Sequence, residues 1–141
     1  MMKRLGLAVV LTSFSAPVFA DGDVADGAAQ FIRQCVACHV VRDDAGNILA
    51  GRVAKVGPNL YGIADRPVAS DVRFRYGDSI TLAGAAGVIW SQENFVTYVQ
   101  DPTKWLRDAL SDRRARSKMG YRVRSDQDAQ DIFAYLASLA P

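Results

Sequence analysis

Two cysteines and the only histidine of this chain fall within five residues, Cys35-Val36-Ala37-Cys38-His39. Cys-x-x-Cys-His is the attachment signature of a c-type haem. The spacing serves the chemistry. Two thiols about one helical turn apart can each add to a haem vinyl group, and an imidazole directly after the second then sits beneath the iron as a ligand. Two other readings fit less well. A redox dithiol of the thioredoxin kind goes with a βαβ pattern, and the flanks show no strands. A zinc site takes four ligands, and no fourth soft ligand stands out after His39.

The other side of the iron then needs a group. A single chain with one histidine cannot build a bis-histidine haem. Met1 and Met2 belong to the leader described below, which leaves Met119. A methionine ordinarily fills core space, but Arg116, Ser117, Lys118, Gly120, Tyr121 and Arg122 around this one are mostly polar. A packing methionine belongs to an apolar stripe, so Met119 is read as the sixth ligand. An open sixth site is the alternative.

These groups need elements to hold them. Met1-Met2-Lys3-Arg4 is a short basic head, Leu5 to Phe19 is apolar, and Val18 and Ala20 form a small-residue exit. That is the pattern of a secretory signal peptide over residues 1–20. A membrane anchor is the weaker reading, because a span needs about 20 apolar residues and Thr12, Ser13, Ser15 and Pro17 interrupt this run. Residues 21–141 make one domain.

Val24, Ala28, Phe31, Ile32, Cys35 and Val36 are spaced as one face of a helix, with Asp23 or Asp26 as its cap. Both cysteines therefore sit at the end of an N-terminal helix. Gly27 inside it costs about 1 kcal/mol relative to alanine, which a close helix crossing would explain. Arg42 to Asn47 reads as turn, Ile48 to Val56 as loop, and Gly57-Pro58-Asn59-Leu60 as a rigid turn. One helical turn is expected within Tyr61 to Ser70, and a short helix from Asp78 to Gly87. Ser91 caps a firmer helix that ends at Asp101-Pro102, and Pro102 suits the first position of the next. Trp105 belongs to that helix and is read as core. Ser125 with Asp128 resembles a capping box opening a C-terminal helix. The fold class is all-α.

The formal net charge is +2, and without Lys3 and Arg4 fifteen basic residues balance fifteen acidic ones. Strong non-specific nucleic-acid binding is not implied. The signs are separated, however. Asp21 to Asp44 holds five acids and two arginines, whereas Arg113 to Arg124 holds six bases and no acid. Those bases surround Met119 and are expected to ring an exposed haem edge.

In this order the residues resemble a class I cytochrome c over nearly the whole of 21–141, and within the class the larger bacterial cytochromes c₂. Gly27, Phe31, Cys35, Cys38 and His39 resemble the family's first helix and haem site. Gly57-Pro58-Asn59-Leu60 resembles its turn behind the proximal histidine, where the resemblance implies that the Pro58 carbonyl takes the imidazole N–H. Arg66, Tyr76 and Trp90 stand where the family has residues near the haem propionates. Tyr98 with Asp101-Pro102, and Ser117-Lys118-Met119-Gly120-Tyr121, resemble the methionine side. Ile132, Tyr135 and Leu136 resemble the helix that crosses the first. The chain departs from the family in using mainly arginine rather than lysine, and in Gly120 and Tyr121, where a larger residue and a phenylalanine are usual.

The resemblance implies one covalent haem c, helices wrapped around it, and a monomeric periplasmic electron carrier rather than an enzyme. It implies transient docking to membrane complexes, with electrons taken from a cytochrome bc₁ complex and passed to a photosynthetic reaction centre or a terminal oxidase. A dedicated acceptor for a periplasmic dehydrogenase is an alternative. An open-site haem enzyme or gas sensor is another.

Overall fold

A computed structural model describes Gly22 to Ala140; the expected leader lies outside the described residues. The described residues form five helices, with one small two-stranded sheet after the first. Among the described residues no helix is long and apolar enough to cross a membrane.

Helix α1 spans Val24–Gln34. Its cap is Asp23, whose carboxylate accepts from the backbone N–H groups of Ala25 and Asp26 at 2.8 and 2.9 Å. This satisfies donors that have no partner inside the helix. Helix α5, Asp126–Ser138, is capped by Ser125, whose hydroxyl accepts from the Asp128 N–H at 3.2 Å. The capping box is only half formed, because the Asp128 carboxylate accepts from Gln34 on α1 instead.

The two helices make the most extensive inter-helix contact of the molecule. A methyl group at Gly27 would stand 2.5 Å from the Asp131 carbonyl carbon and 2.8 Å from Tyr135 Cβ, and closer still to the Asp131 oxygen. The glycine is therefore there for the crossing, as its cost within a helix suggested. Phe31, Ile132 and Leu136 are fully buried around the crossing, and the Phe31 and Tyr135 rings lie 5.8 Å apart. Each such apolar side chain contributes about 1.5–3 kcal/mol. Asp131 is a buried carboxylate, and its Oδ1 accepts from the Asp23 N–H at 2.7 Å and from Gln127 at 2.9 Å.

Between these helices the chain departs from the sequence reading twice. Strands β1, Val40–Arg42, and β2, Ile48–Gly51, form an antiparallel hairpin where only loop was expected. The flanks of the Cys-His motif therefore do contain strands. They are short and antiparallel, and no βαβ unit surrounds the cysteines. The fold stays mostly helical. Periodicity hid β2 because its four residues are half-buried or exposed without alternation.

The second departure is Tyr61 to Ser70, which forms turns and no helix. Its backbone bonds run sideways to another segment. Asp65 N–H reaches Trp90 O, Val68 N–H reaches Val88 O, and Trp90 N–H returns to Arg66 O. Pro67, which has no N–H, pairs opposite Ile89 in an isolated bridge.

Helices α2, Asp78–Ala85, α3, Gln92–Gln100, and α4, Pro102–Leu110, complete the wrap. Ser91 caps α3, and Pro102 opens α4. Trp105, on α4, stacks on Trp90 at 5.7 Å, and Tyr98 sets its edge against both rings. Trp105 is core, as expected. The stretch from Arg113 to Arg124 is irregular, also as expected.

Candidate functional site

Helix α1 delivers the first groups of the site. Cys35 is its C-terminal cap residue, and the N–H groups of Cys38 and His39 both donate to the Cys35 carbonyl, at 3.1 and 3.0 Å. That turn puts the two thiols and the imidazole on one short bend. The Gly57 N–H donates to the Cys38 carbonyl at 2.8 Å and brings the following turn against it.

The imidazole is then fixed from behind. His39 Nδ1 lies 2.9 Å from the Pro58 carbonyl oxygen. A carbonyl can only accept, so the proton is on Nδ1 and Nε2 presents a lone pair. Burial lowers the pKa of His39 and keeps it neutral, with the Pro58 bond pulling weakly the other way. The ring lies against the bare α-carbon of Gly57. A methyl there would stand 2.6 Å from Nδ1 and 2.8 Å from Nε2.

Burial, with the neighbouring Cys38 adding to it, pushes the free Cys35 thiol up to about 12. A redox dithiol needs the reverse, a thiol whose pKa is lowered. The raised Cys35 thiol and the missing βαβ context both count against the dithiol reading.

A predominantly apolar cavity of about 300 Å³ opens in front of the histidine, within the range of ligand pockets. Cys35, Cys38, His39, Pro58, Arg66, Tyr76, Trp90, Tyr98, Ser117 and Met119 all line it, so the structure brings every residue expected at the site to one place. Sequence reasoning missed Gln34, Val56, Phe74, Ile80, Val123 and Ile132. Nothing in their local patterns separates them from ordinary packing residues.

The side of Met119 is held by polar contacts. Tyr98 Oη and Ser117 Oγ are 3.1 Å apart, and Ser117 Oγ accepts from the Met119 N–H at 3.0 Å. Burial raises Tyr98, and the Ser117 bond offsets part of that. Tyr76 is raised by burial too, while the Asp71 N–H and Arg66 act in the other direction. Lys118 Nζ donates to the carbonyls of Arg75 and Tyr76 at 3.1 and 3.2 Å. It is a strut between two loops as well as a surface charge.

Arg66 is committed on one side only. Its Nη1 and Nη2 donate to the Tyr61 and Asn59 carbonyls at 2.7 and 3.1 Å, while its buried Nε finds no partner among the described residues. An orphaned buried guanidinium donor costs a few kcal/mol unless an anionic group meets it. The donor set and the surroundings together fit a haem: two thiols, a neutral imidazole with a free lone pair, a thioether, apolar walls and a spare cationic donor.

The cytochrome c family model matches residues 24–140. A cytochrome c2 of Rhodovulum adriaticum is 54% identical over 118 residues, covering 84% of this chain and 93% of the relative. A cytochrome c-551 of Roseobacter denitrificans is 44% identical over 140 residues, 99% of this chain and 97% of the relative. Among solved structures, a cytochrome c2 from Rhodobacter sphaeroides superposes with a TM-score of 0.81 at 44% identity, covering 84% of this chain and 96% of that one.

Proposed function

This chain belongs to the cytochrome c family, and from that premise we propose that it is a soluble periplasmic carrier of single electrons, with one covalent haem c. The observation that carries the reading is the gathering of Cys35, Cys38, His39 and Met119 on one buried apolar cavity. Cys35 and Cys38 would hold the group through thioethers, and His39 and Met119 would ligate its iron. Bound there, the group supplies a reversible one-electron store.

The chain's own residues do the rest. Pro58 and Gly57 orient the imidazole and fix its tautomer. Trp90, Tyr98 and Val99 close the interior to water, and a dry, preorganised surrounding changes little when the charge changes. Ser117 seats the backbone of Met119. Arg66, Tyr76 and Trp90 are placed at the cavity wall where they can meet acidic edge groups.

Residues 1–20 act as the export leader in this reading. Electrons come from a cytochrome bc₁ complex and go to a photosynthetic reaction centre or a terminal oxidase, and the protein works as a monomer that docks transiently. The bases Arg113, Arg116 and Arg124 are exposed and make no ion pair among the described residues, whereas Arg114 pairs with Asp112 at 3.7 Å and Arg122 with Asp101 at 3.2 Å. These three, with the exposed Lys118, which also makes no ion pair among the described residues, offer charge for steering toward an acidic partner.

The test is ligand exclusion. The reduced holoprotein should not bind carbon monoxide, whereas Met119→Ala should keep its haem, bind carbon monoxide and show a lower potential. Ready carbon monoxide binding by the parent would point to an open-site haem enzyme or gas sensor instead.

A further inference from the structure

The segment that carries Met119 has no regular structure of its own; Ser117 and Lys118 tie it down before the methionine, and further contacts hold it beyond. Gly120 is exposed, with open space around its α-carbon. The next two residues reach different partners. Arg122 pairs with Asp101 between α3 and α4. Tyr121, half of whose surface is exposed, lines the cavity and donates its hydroxyl to Gln34 Oε1 at 3.1 Å.

Gln34 is the last residue of α1, directly before Cys35. Both hydrogens of its amide are used. Nε2 donates to Gln30 Oε1 at 2.7 Å and to Asp128 Oδ2 at 2.9 Å, while Oε1 accepts from Tyr121. The two amide hydrogens therefore fix which way Gln34 faces, and α1 and α5 together hold its oxygen toward the tyrosine. A phenylalanine at 121, the usual family residue, has no hydroxyl to make this bond.

We propose that Tyr121 and Gln34 form a strap across the mouth of the cavity. They act as positioning residues that keep the Met119 segment closed, so that small external ligands reach the sixth position only when the strap opens. The inference rests on Met119 being the sixth ligand, as proposed above. One neutral, solvent-accessible hydrogen bond is a modest restraint, and its loss should raise the open population roughly twofold to fivefold.

The experiment uses the ferric holoprotein with imidazole as the external ligand. Tyr121→Phe keeps the ring and removes only the hydroxyl, and Gln34→Leu removes the acceptor. Each should strengthen imidazole binding by that factor and speed amide exchange at 119–121. The double variant should match Gln34→Leu alone, which also gives up the Gln30 and Asp128 bonds, because the Tyr121 hydroxyl then has no acceptor left to lose. Carbon monoxide excluded by the reduced parent, together with unchanged imidazole affinity and unchanged exchange in Tyr121→Phe, would overturn the strap while leaving the ligand assignment intact. Carbon monoxide binding by the reduced parent would overturn the ligand assignment, and the strap with it.

Discussion

Alanine at Gly27 sets two effects of known sign against each other. Within an isolated helix the change stabilises by about 0.8–1.0 kcal/mol, because glycine has the greater backbone freedom to lose. In the folded protein the added methyl stands 2.5 Å from the Asp131 carbonyl carbon and 2.8 Å from Tyr135 Cβ, inside the 3.0 Å that real Cβ atoms keep. Two of the three atoms in its way are backbone of α5, which no rotamer change can move. Helix α5 must retreat by about 1.5–2 Å to bring the nearest of these atoms to ordinary contact distances of about 3.5–4.0 Å.

That retreat loosens Phe31, Ile132 and Leu136, all buried at the crossing, and stretches the Asp23 N–H to Asp131 bond. Overpacking of this kind costs about 1–3 kcal/mol, and the weakened bond to a carboxylate adds up to about 1.5 kcal/mol. The clash outweighs the propensity gain, and a net loss of about 1–3 kcal/mol is expected. Guanidinium unfolding of the ferric holoprotein, followed by circular dichroism, measures it. Gly120→Ala is the control: its methyl meets nothing within 4 Å, so it should stay within about 0.5 kcal/mol of the parent. A Gly27→Ala protein as stable as the parent would refute the reasoning, since the helices would then have room the structure does not show.

Gly57→Ala should press on the His39 ring from behind, destabilise by about 1–3 kcal/mol and shift the reduction potential; an unchanged potential and denaturation midpoint would count against the Gly57 contact. Tyr98 keeps its proton in the folded state beyond the pH, about 10, at which the unfolded chain releases it. The folded state then binds more protons, so stability falls as pH rises above about 10. Tyr98→Phe should flatten that fall, and an identical slope between about pH 10 and 12 would show that Tyr98 does not cause it. Reversing Arg113 and Arg116, which carry no ion pair among the described residues, should slow electron transfer to an acidic partner at low salt and leave the potential nearly unchanged. Stopped-flow rates at several ionic strengths check this, and a flat salt profile for the parent would remove the steering argument.

The order of the helices was legible because their signals are local. Asp23, Ser91 and Ser125 are caps whose side chains bond residues two or three positions away, and Pro102 opens α4 through its own fixed backbone angle. Cys35, Cys38 and His39 were legible for the same reason, since one turn of backbone sets their spacing. The hairpin of β1 and β2 was not, because four half-exposed residues carry no period and their partners lie across a turn. Nor was the turn structure of Tyr61 to Ser70, whose hydrogen bonds go to residues 88–90. Met119 could be singled out by elimination among three methionines, yet only the fold put it on the same cavity as His39. The spare donor of Arg66, the strut of Lys118 and the strap from Tyr121 to Gln34 join residues far apart in the chain. Short-range spacing determines which groups this protein can offer a cofactor. Which of them meet, and what holds them closed, depends on contacts between distant segments that exist only once α1 and α5 have crossed.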